Sequence, residues 1–256
     1  MSKVFELPAG LWRGDKPEKE VRLTELTARI RKEMGNPTVR NNPVQVVSSV
    51  LVGCIESIGG VPVTERDLDN MLTGDRDFCL LKIREISLGS DVNTSFNCPI
   101  CSGHNRSVID LQSIAVYDLD EANYEIRPDL EPDPRVYRVK KEGSWEAIFR
   151  FPTGMDQKIV MKGANKNPLA TQQDLFSRCL LEWNGEKVFP EHLDNLPIPE
   201  LNFLEGEIMD ALPGPDFNAE VECSLCGAKV PMPMESSDFL FPEDLGKRSG
   251  RRLKKR

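Results

Sequence analysis

The sequence predicts an α+β protein. An N-terminal helical portion packs on a zinc ribbon built from two separated β-hairpins, with a β-rich and then helical insertion between them. Three observations lead to this reading. Two Cys-x-x-Cys pairs, Cys98-Pro99-Ile100-Cys101 and Cys223-Ser224-Leu225-Cys226, lie far apart in the chain, each entered and left by short alternating segments. Helix-type stretches with start and stop signals dominate the residues before the first pair. Alternation typical of strands, then helical stretches, fill the space between the pairs.

Taken in order, residues 1–20 read as an N-terminal arm. Pro8-Ala9-Gly10 and Gly14-Asp15-Lys16-Pro17 are turn material, with Leu11 and Trp12 as exposed apolar residues between them. Residues 21–112 form the helical portion and the first knuckle hairpin. Within it, Val21-Arg22-Leu23 suits a short strand, and a helix from Glu25 to Met34 opens at Thr24 and closes at Gly35-Asn36-Pro37. An apolar segment from Val44 to Ile58 precedes a tight turn and short strand at Gly59-Gly60-Val61-Pro62-Val63. Thr64-Glu65-Arg66-Asp67 has capping-box character and starts a helix to Met71-Leu72. A second helix, Phe78 to Leu88, is expected to use Thr73 or Asp75 as its N-cap, and helix initiation alone accounts for the charged stretch Gly74-Asp75-Arg76-Asp77.

Val92 to Phe96 leads into the first Cys pair and Arg106 to Leu111 leaves it. Ala219 to Glu222 and Ala228 to Met232 do the same for the second, so each pair caps a hairpin. The insertion, residues 113–218, is expected to hold strands at Tyr124–Arg127, Val136–Val139, Glu146–Phe151 and Lys158–Met161, then helices at Pro168–Trp183 and Pro199–Leu212. Pro128 to Pro134 reads as a loop rich in proline and acid. Residues 219–244 make the second knuckle hairpin and residues 245–256 a basic, disordered tail.

Composition narrows the class. A chain of 256 residues with 39% hydrophobic and 29% charged side chains can bury a sizeable core and is neither disordered nor membranous in character. No apolar run approaches the roughly 18 residues needed to cross a bilayer. The N-terminus lacks the apolar stretch of a signal peptide, so a cytoplasmic origin is expected. The net charge of −8 hides an asymmetry, because residues 247–256 carry seven positive charges and no negative one. Without them 26 basic side chains face 41 acidic ones, a net of −15. Nucleic acid is therefore expected to bind only through that tail.

The chemistry of the cysteines follows from their spacing. A two-residue spacer turns both sulfurs to one point, and the small residues after it (Ser102-Gly103, Gly227-Ala228) free backbone N–H groups to approach them. Four thiolates close a tetrahedral shell at Zn–S distances of about 2.3 Å. Cys98, Cys101, Cys223 and Cys226 are thus the candidate zinc ligands, and the zinc would be a staple between distant parts of the chain. Disulfides are the competing reading. Redox-active dithiols fit poorly, since neither pair sits between a strand and a helix. His104 follows Cys101 closely but is not needed as a ligand. Cys54, Cys79 and Cys179 sit in apolar surroundings and read as small buried hydrophobes. Catalysis is not expected: the two histidines form no metal-binding pair, no nucleophile elbow, P-loop or dinucleotide fingerprint is present, and a closed thiolate shell has no open position for water.

The stretch Gly59-Gly60-Val61-Pro62-Val63, Leu72-Thr73-Gly74-Asp75-Arg76-Asp77-Phe78, Leu80 to Gly89 and Cys98-Pro99-Ile100-Cys101 resembles the baseplate hub assembly chaperone family of T-even-type contractile-tailed phages and related contractile injection systems. Leu7-Pro8-Ala9-Gly10 and Val21 to Thr27 are similar to that family's opening. The resemblance covers residues 5–112 and resumes at the second knuckle. It implies a structural or assembly role at the baseplate hub, through contacts with other baseplate or tail proteins (the hub, the tape measure) and without chemistry. It implies host cytoplasm during assembly, with retention in the virion tail baseplate as the other outcome, and it transfers only the four knuckle cysteines. The rival reading is a zinc-ribbon nucleic-acid adaptor acting through the basic tail.

Overall fold

The first residues form a hairpin and not an arm. In the computed structural model, which describes residues 2–36, 39, 42–161 and 168–234, Lys3–Arg13 (β1) and Lys16–Leu23 (β2) pair antiparallel. The turn material at Pro8-Ala9-Gly10 is a bulge inside β1: the register shifts between Glu6 and Leu11, and Gly10 takes φ +80°. A Cβ at Gly10 would come within 2.9 Å of Lys19 Cγ and 3.0 Å of the Glu18 carbonyl. Leu7, Ala9 and Leu11 are buried, so the expected exposure of Leu11 is corrected, and Trp12 is half-buried. The alternation of Leu7, Ala9 and Leu11 wins over local turn chemistry because each finds a core to enter.

Ala28–Met34 (α1) starts later than Thr24 suggests, because the cap is Thr27, whose hydroxyl accepts the Ile30 N–H. The apolar stretch that follows divides into Pro43–Cys54 (α2), capped by Asn42, and Ile55–Ile58 (β3). After the glycine turn comes Val61–Pro62 (β4), which completes an antiparallel sheet in the order β1-β2-β3-β4. Thr64 and Asp67 form the expected capping box of Glu65–Asn70 (α3). Thr73–Leu88 (α4) lies against the sheet, with Phe78 edge-on to Phe5. Leu7, Leu23, Val50, Leu51, Ile58, Met71, Leu80 and Ile83 are among the residues of this first core.

Asp91–Asn97 (β5) and His104–Asp110 (β6) form the first knuckle hairpin. Val116–Tyr117 (β7), Tyr124–Ile126 (β8), Arg135–Lys141 (β9) and Trp145–Arg150 (β10) follow. The strand expected at Lys158–Met161 is instead part of a helix, Gly154–Val160 (α5). Thr153 and Asp156 cap it reciprocally, and the Asp156 carboxylate also receives Arg150 at 2.7 and 2.8 Å, which fixes the helical start. Pro168–Cys179 (α6) stops short of Trp183, because Leu180–Trp183 (β11) pairs with β10. Trp183 thereby stacks on Trp145 at 4.3 Å. Glu186–Lys187 (β12), Ile198–Ala211 (α7), Gly214–Pro215 (β13), Asn218–Glu222 (β14) and Lys229–Pro233 (β15) complete the described chain. The insertion sheet has the order β12-β11-β10-β9-β8 and packs a second core around Phe149, Phe151, Trp145, Phe176 and Leu204. The basic tail and the end of the second hairpin unit, residues 235–256, lie outside the described residues.

The Gly74-Asp75-Arg76 stretch does more than start a helix, which corrects the sequence reading. Leu72 is the N-cap of α4 and offers no side-chain cap. Asp75 is fully buried and accepts the Ala9 N–H at 2.8 Å. Arg76, 1% exposed, donates to the Leu68 carbonyl. At Gly74 a Cβ would sit 1.7 Å from the Pro213 carbonyl oxygen, so β13 approaches the helix where only glycine fits.

Two outcomes are expected. Gly74→Ala should lower the unfolding free energy in urea by about 3 kcal/mol, the upper end of overpacking costs. Gly206→Ala, in open space on α7, should leave it unchanged or raise it by about 0.5–1 kcal/mol. Burial pushes the Asp75 carboxyl up to about 6, against the pull of the Ala9 N–H and the Arg135 charge. The folded state therefore binds this proton more tightly than the unfolded chain, and the contribution is lost as pH rises through 6. The stability of the parent relative to Asp75→Asn should fall by about 3 kcal/mol between pH 3 and 7, the span between 3.8 and about 6 at about 1.4 kcal/mol per unit, and a flat difference would contradict it.

Candidate metal centre

Each cysteine pair sits in a tight turn at the tip of its hairpin, and the two turns share one pattern. The Cys98 N–H donates to the Gly103 carbonyl and the Cys223 N–H to the Ala228 carbonyl, at 2.9 and 2.8 Å. Ser102 and Gly227 return an N–H to the Cys98 and Cys223 carbonyls, both at 2.8 Å. These last two residues adopt φ +57° and +71°, a conformation that needs a small side chain. In the second turn, backbone N–H groups of Leu225 and Cys226 reach the Cys223 sulfur and that of Ala228 reaches Cys226, as the small residues after the pair predict.

The hairpins bring all four thiols together. The Sγ atoms of Cys98, Cys101, Cys223 and Cys226 lie within 4.8 Å of one another. Cys98 meets Cys226 at 3.7 Å and Cys101 meets Cys223 at 3.7 Å. A tetrahedron with metal–sulfur bonds of about 2.3 Å has sulfur–sulfur edges of about 3.8 Å. The separation is far beyond the roughly 2.05 Å of a disulfide bond, and all seven cysteines are free. The donor set thus fits a tetrahedral, thiophilic divalent ion. Cys98 and Cys223 are buried, whereas Cys101 and Cys226 face outward. Burial pushes the Cys223 thiol up, but N–H groups of Leu225 and Cys226 and the neighbouring thiols outweigh it and bring it down, while the neighbouring thiols raise Cys226 against the pull of the Ala228 N–H.

A third, small core lies beneath the thiols, made of Ile109, Val221 and Val230 with Cys98 and Cys223. His104 is exposed, with Nδ1 3.1 Å from Asn97 Oδ1, and stands apart from the cluster. Cys54 and Cys79 are buried within the first core and Cys179 is buried beside Leu180, as their apolar settings suggest. Burial pushes Cys54 and Cys179 up to about 12 and raises Cys79 as well.

Three buried polar residues that support this architecture escape the sequence reading. Arg135, 1% exposed, donates to the Ala9 and Gly10 carbonyls at 2.7 and 2.8 Å and pairs with Asp133. Asp133 sits at the end of the loop read only as acidic and proline-rich. Asn105, also buried, joins the two knuckles. The signal for Asn105 is a polar residue where strand alternation calls for an apolar one.

The fold and the cluster define an α+β protein whose remote hairpins meet at four thiols that could hold a metal ion. A sequence model of the T4 bacteriophage base plate protein family matches residues 17–241, and the chain belongs to that family. It is therefore a structural protein of the phage baseplate, with other baseplate proteins as partners and the virion tail as its site. No curated protein and no solved structure matches the chain. Among the described residues no helix is long and apolar enough to cross a membrane.

The thiols should separate into two classes. With metal stripped from the folded protein, the exposed Cys101 and Cys226 thiols should react rapidly with a disulfide reagent. Cys54, Cys79 and Cys179 should react only on unfolding, because burial both shields them and disfavours the thiolate. Seven fast thiols would contradict the burial of the three.

Proposed function

We propose that this chain is a non-enzymatic component or assembly factor of the baseplate hub in a contractile tail or related injection system. It acts through protein–protein contacts and is stabilised by one zinc ion on Cys98, Cys101, Cys223 and Cys226. The observation that carries the reading is the four-thiol cluster, tied from both ends of the insertion in a member of a baseplate family. A shell of four thiolates leaves the ion no open position, so its role is structural. A hub component needs a rigid shape more than it needs chemistry, and a staple between distant hairpins supplies rigidity.

Zinc on these residues would favour the thiolate at every position and close the two hairpins into one unit. Native mass spectrometry of protein purified without added metal should find one zinc per chain, released only after the four paired thiols are modified. A metal-free mass lighter by two or four hydrogens would mean disulfides instead. Cys98→Ser or Cys226→Ser should lower stability by several kcal/mol, on the order of the loss of a structural zinc site. Cys54→Ala should be far milder. A cysteine variant that melts like the parent and keeps its metal would rule out the shared site.

The hub role is tested by deletion. A phage lacking this chain should accumulate tails without complete baseplates, and the parent chain supplied in trans should restore them. Normal tails from the deletion phage would overturn the reading. Mass spectrometry of purified particles distinguishes a retained component from a released chaperone. Salt-sensitive DNA binding that disappears on removing residues 247–256 would favour the nucleic-acid adaptor.

A further inference from the structure

The two knuckles are equivalent position by position through their shared hydrogen-bond pattern. In that equivalence Gly103 corresponds to Ala228, so Asn105 corresponds to Val230, and Pro99 corresponds to Ser224. Both Asn105 and Val230 are buried, at 3% and 6% exposure. They differ in what they can do. The Asn105 Nδ2 donates to the Gly103 carbonyl at 2.9 Å within its own turn. Its Oδ1 accepts both the Ser224 N–H at 2.9 Å and the Ser224 hydroxyl at 2.8 Å, in the opposite knuckle. At the equivalent positions of the other half, Pro99 has no N–H to give and Val230 has no acceptor. An asparagine is thus matched with a serine N–H, and a valine with a proline that lacks one.

We propose that Asn105 is the positioning residue of the metal centre: a latch that docks the second knuckle on the first and fixes Cys223 and Cys226 against Cys98 and Cys101 before the ion binds. The proposal deepens, and rests on, the zinc reading above. Ser224 directly follows the ligand Cys223, so holding its N–H holds the sulfur beside it. The two latch residues are 119 positions apart, and joining them closes the gap between the hairpins without the metal. A preformed site binds its ion more tightly than one the ion must assemble. Buried amide and hydroxyl groups tolerate this only because they are matched, and removing one side strands the other.

The test is zinc affinity by chelator competition for the parent, Asn105→Val, Ser224→Pro and the double variant, together with amide exchange of Ser224 in the metal-free parent and in Asn105→Val. Asn105→Val strands the Ser224 N–H and should weaken zinc about 10–100-fold, the usual effect of losing an outer partner of a metal site. The double variant installs the valine and proline already found in the other half and should bind closer to the parent than either single variant. The Ser224 amide should be protected in the metal-free parent and exchange freely in Asn105→Val. Asn105→Val affinity within about threefold of the parent, against the 10–100-fold expected of such partners, would overturn the latch, as would an unprotected Ser224 amide in the metal-free parent. If Asn105→Val fails to fold, Ser224→Pro keeps the asparagine and carries the same expectation, and parental affinity there would overturn the latch equally. If the parent itself binds no zinc, the metal reading fails, while the Ser224 exchange still decides whether the latch exists.

Discussion

The structure depends on how the bulge of β1 is held. Its backbone runs between two cores: Leu7 and Leu11 enter the first, and Ala9, between them, enters the second. A buried strand that leaves its ladder must find new partners for its peptide groups. Asp75 of α4 takes the Ala9 N–H, and Arg135 of β9 donates to the Ala9 and Gly10 carbonyls. Leu119 donates to the Pro8 carbonyl at 3.0 Å. The Arg135 charge is compensated by Asp133, which receives its Nε at 2.9 Å, and its guanidinium lies 5.5 Å from the Trp12 ring centroid. Losing one member of such a buried pair costs far more than the pair gains, about 3–5 kcal/mol. One cluster of polar groups therefore fixes the first sheet, the long helix and the insertion sheet relative to one another.

A second joint lies around the start of α4. Met71 belongs to the first core and Leu72 to the second. Gly154 donates to the Met71 carbonyl and Thr73 to the Pro152 carbonyl, both at 3.0 Å. Across the helix, Gly74 lets Pro213 and Gly214 approach, and β13 pairs there with β7. The insertion is thus closed at its base, where it enters by β7 and leaves by β13, before the chain reaches the second knuckle. This is why thiols 122 and 128 residues apart in sequence can meet. The long loop that makes the pairing improbable in an open chain has already been shortened by packing, so most of the loop entropy is lost before the thiols meet.

What could be read from the sequence was local. The cysteine turns, the capping box at Thr64 and Asp67 and both knuckle hairpins follow from spacing and small residues, and they stand where those signals place them. The errors fall where a distant partner overrides a local preference. Pro8-Ala9-Gly10 has the composition of a turn, yet the strand continues because Leu7, Ala9 and Leu11 each have a core to fill. Leu180 to Trp183 continues a helical pattern but is taken by the edge of β10. Lys158 to Met161 alternates like a strand, and only the Thr153–Asp156 box upstream reveals the helix. Asp75 looked like a helix-start acid because nothing in the sequence says that Ala9 will lie beside it. The gathering of the four thiols was legible and Asn105 was not, since a crossing hydrogen bond depends on the register of two hairpins that meet only after folding.

The proposed metal has a physical rationale in the size of the third core. Two two-stranded hairpins are marginal by themselves, and units of fewer than about 40 residues usually require a disulfide, a metal or a partner. Here the fully buried set is five residues, two of which are the candidate ligands Cys98 and Cys223. What remains, Ile109, Val221 and Val230 with partly buried Phe96, Ala219, Ala228, Met232 and Met234 packed on them, is small beside the other two cores, so cross-links between the hairpins add much to its stability. The tips add little to that core, since Ile100 and Leu225 are 74% and 66% exposed and Leu225 only lies over Gly103 of the opposite knuckle. The other two cores are self-sufficient by comparison, with aromatic and aliphatic side chains from many elements. Any metal dependence should therefore be confined to the two knuckle hairpins. The two larger cores and the joints between them provide the frame, and the four thiols with Asn105 turn two weak hairpins into a firm extension of it.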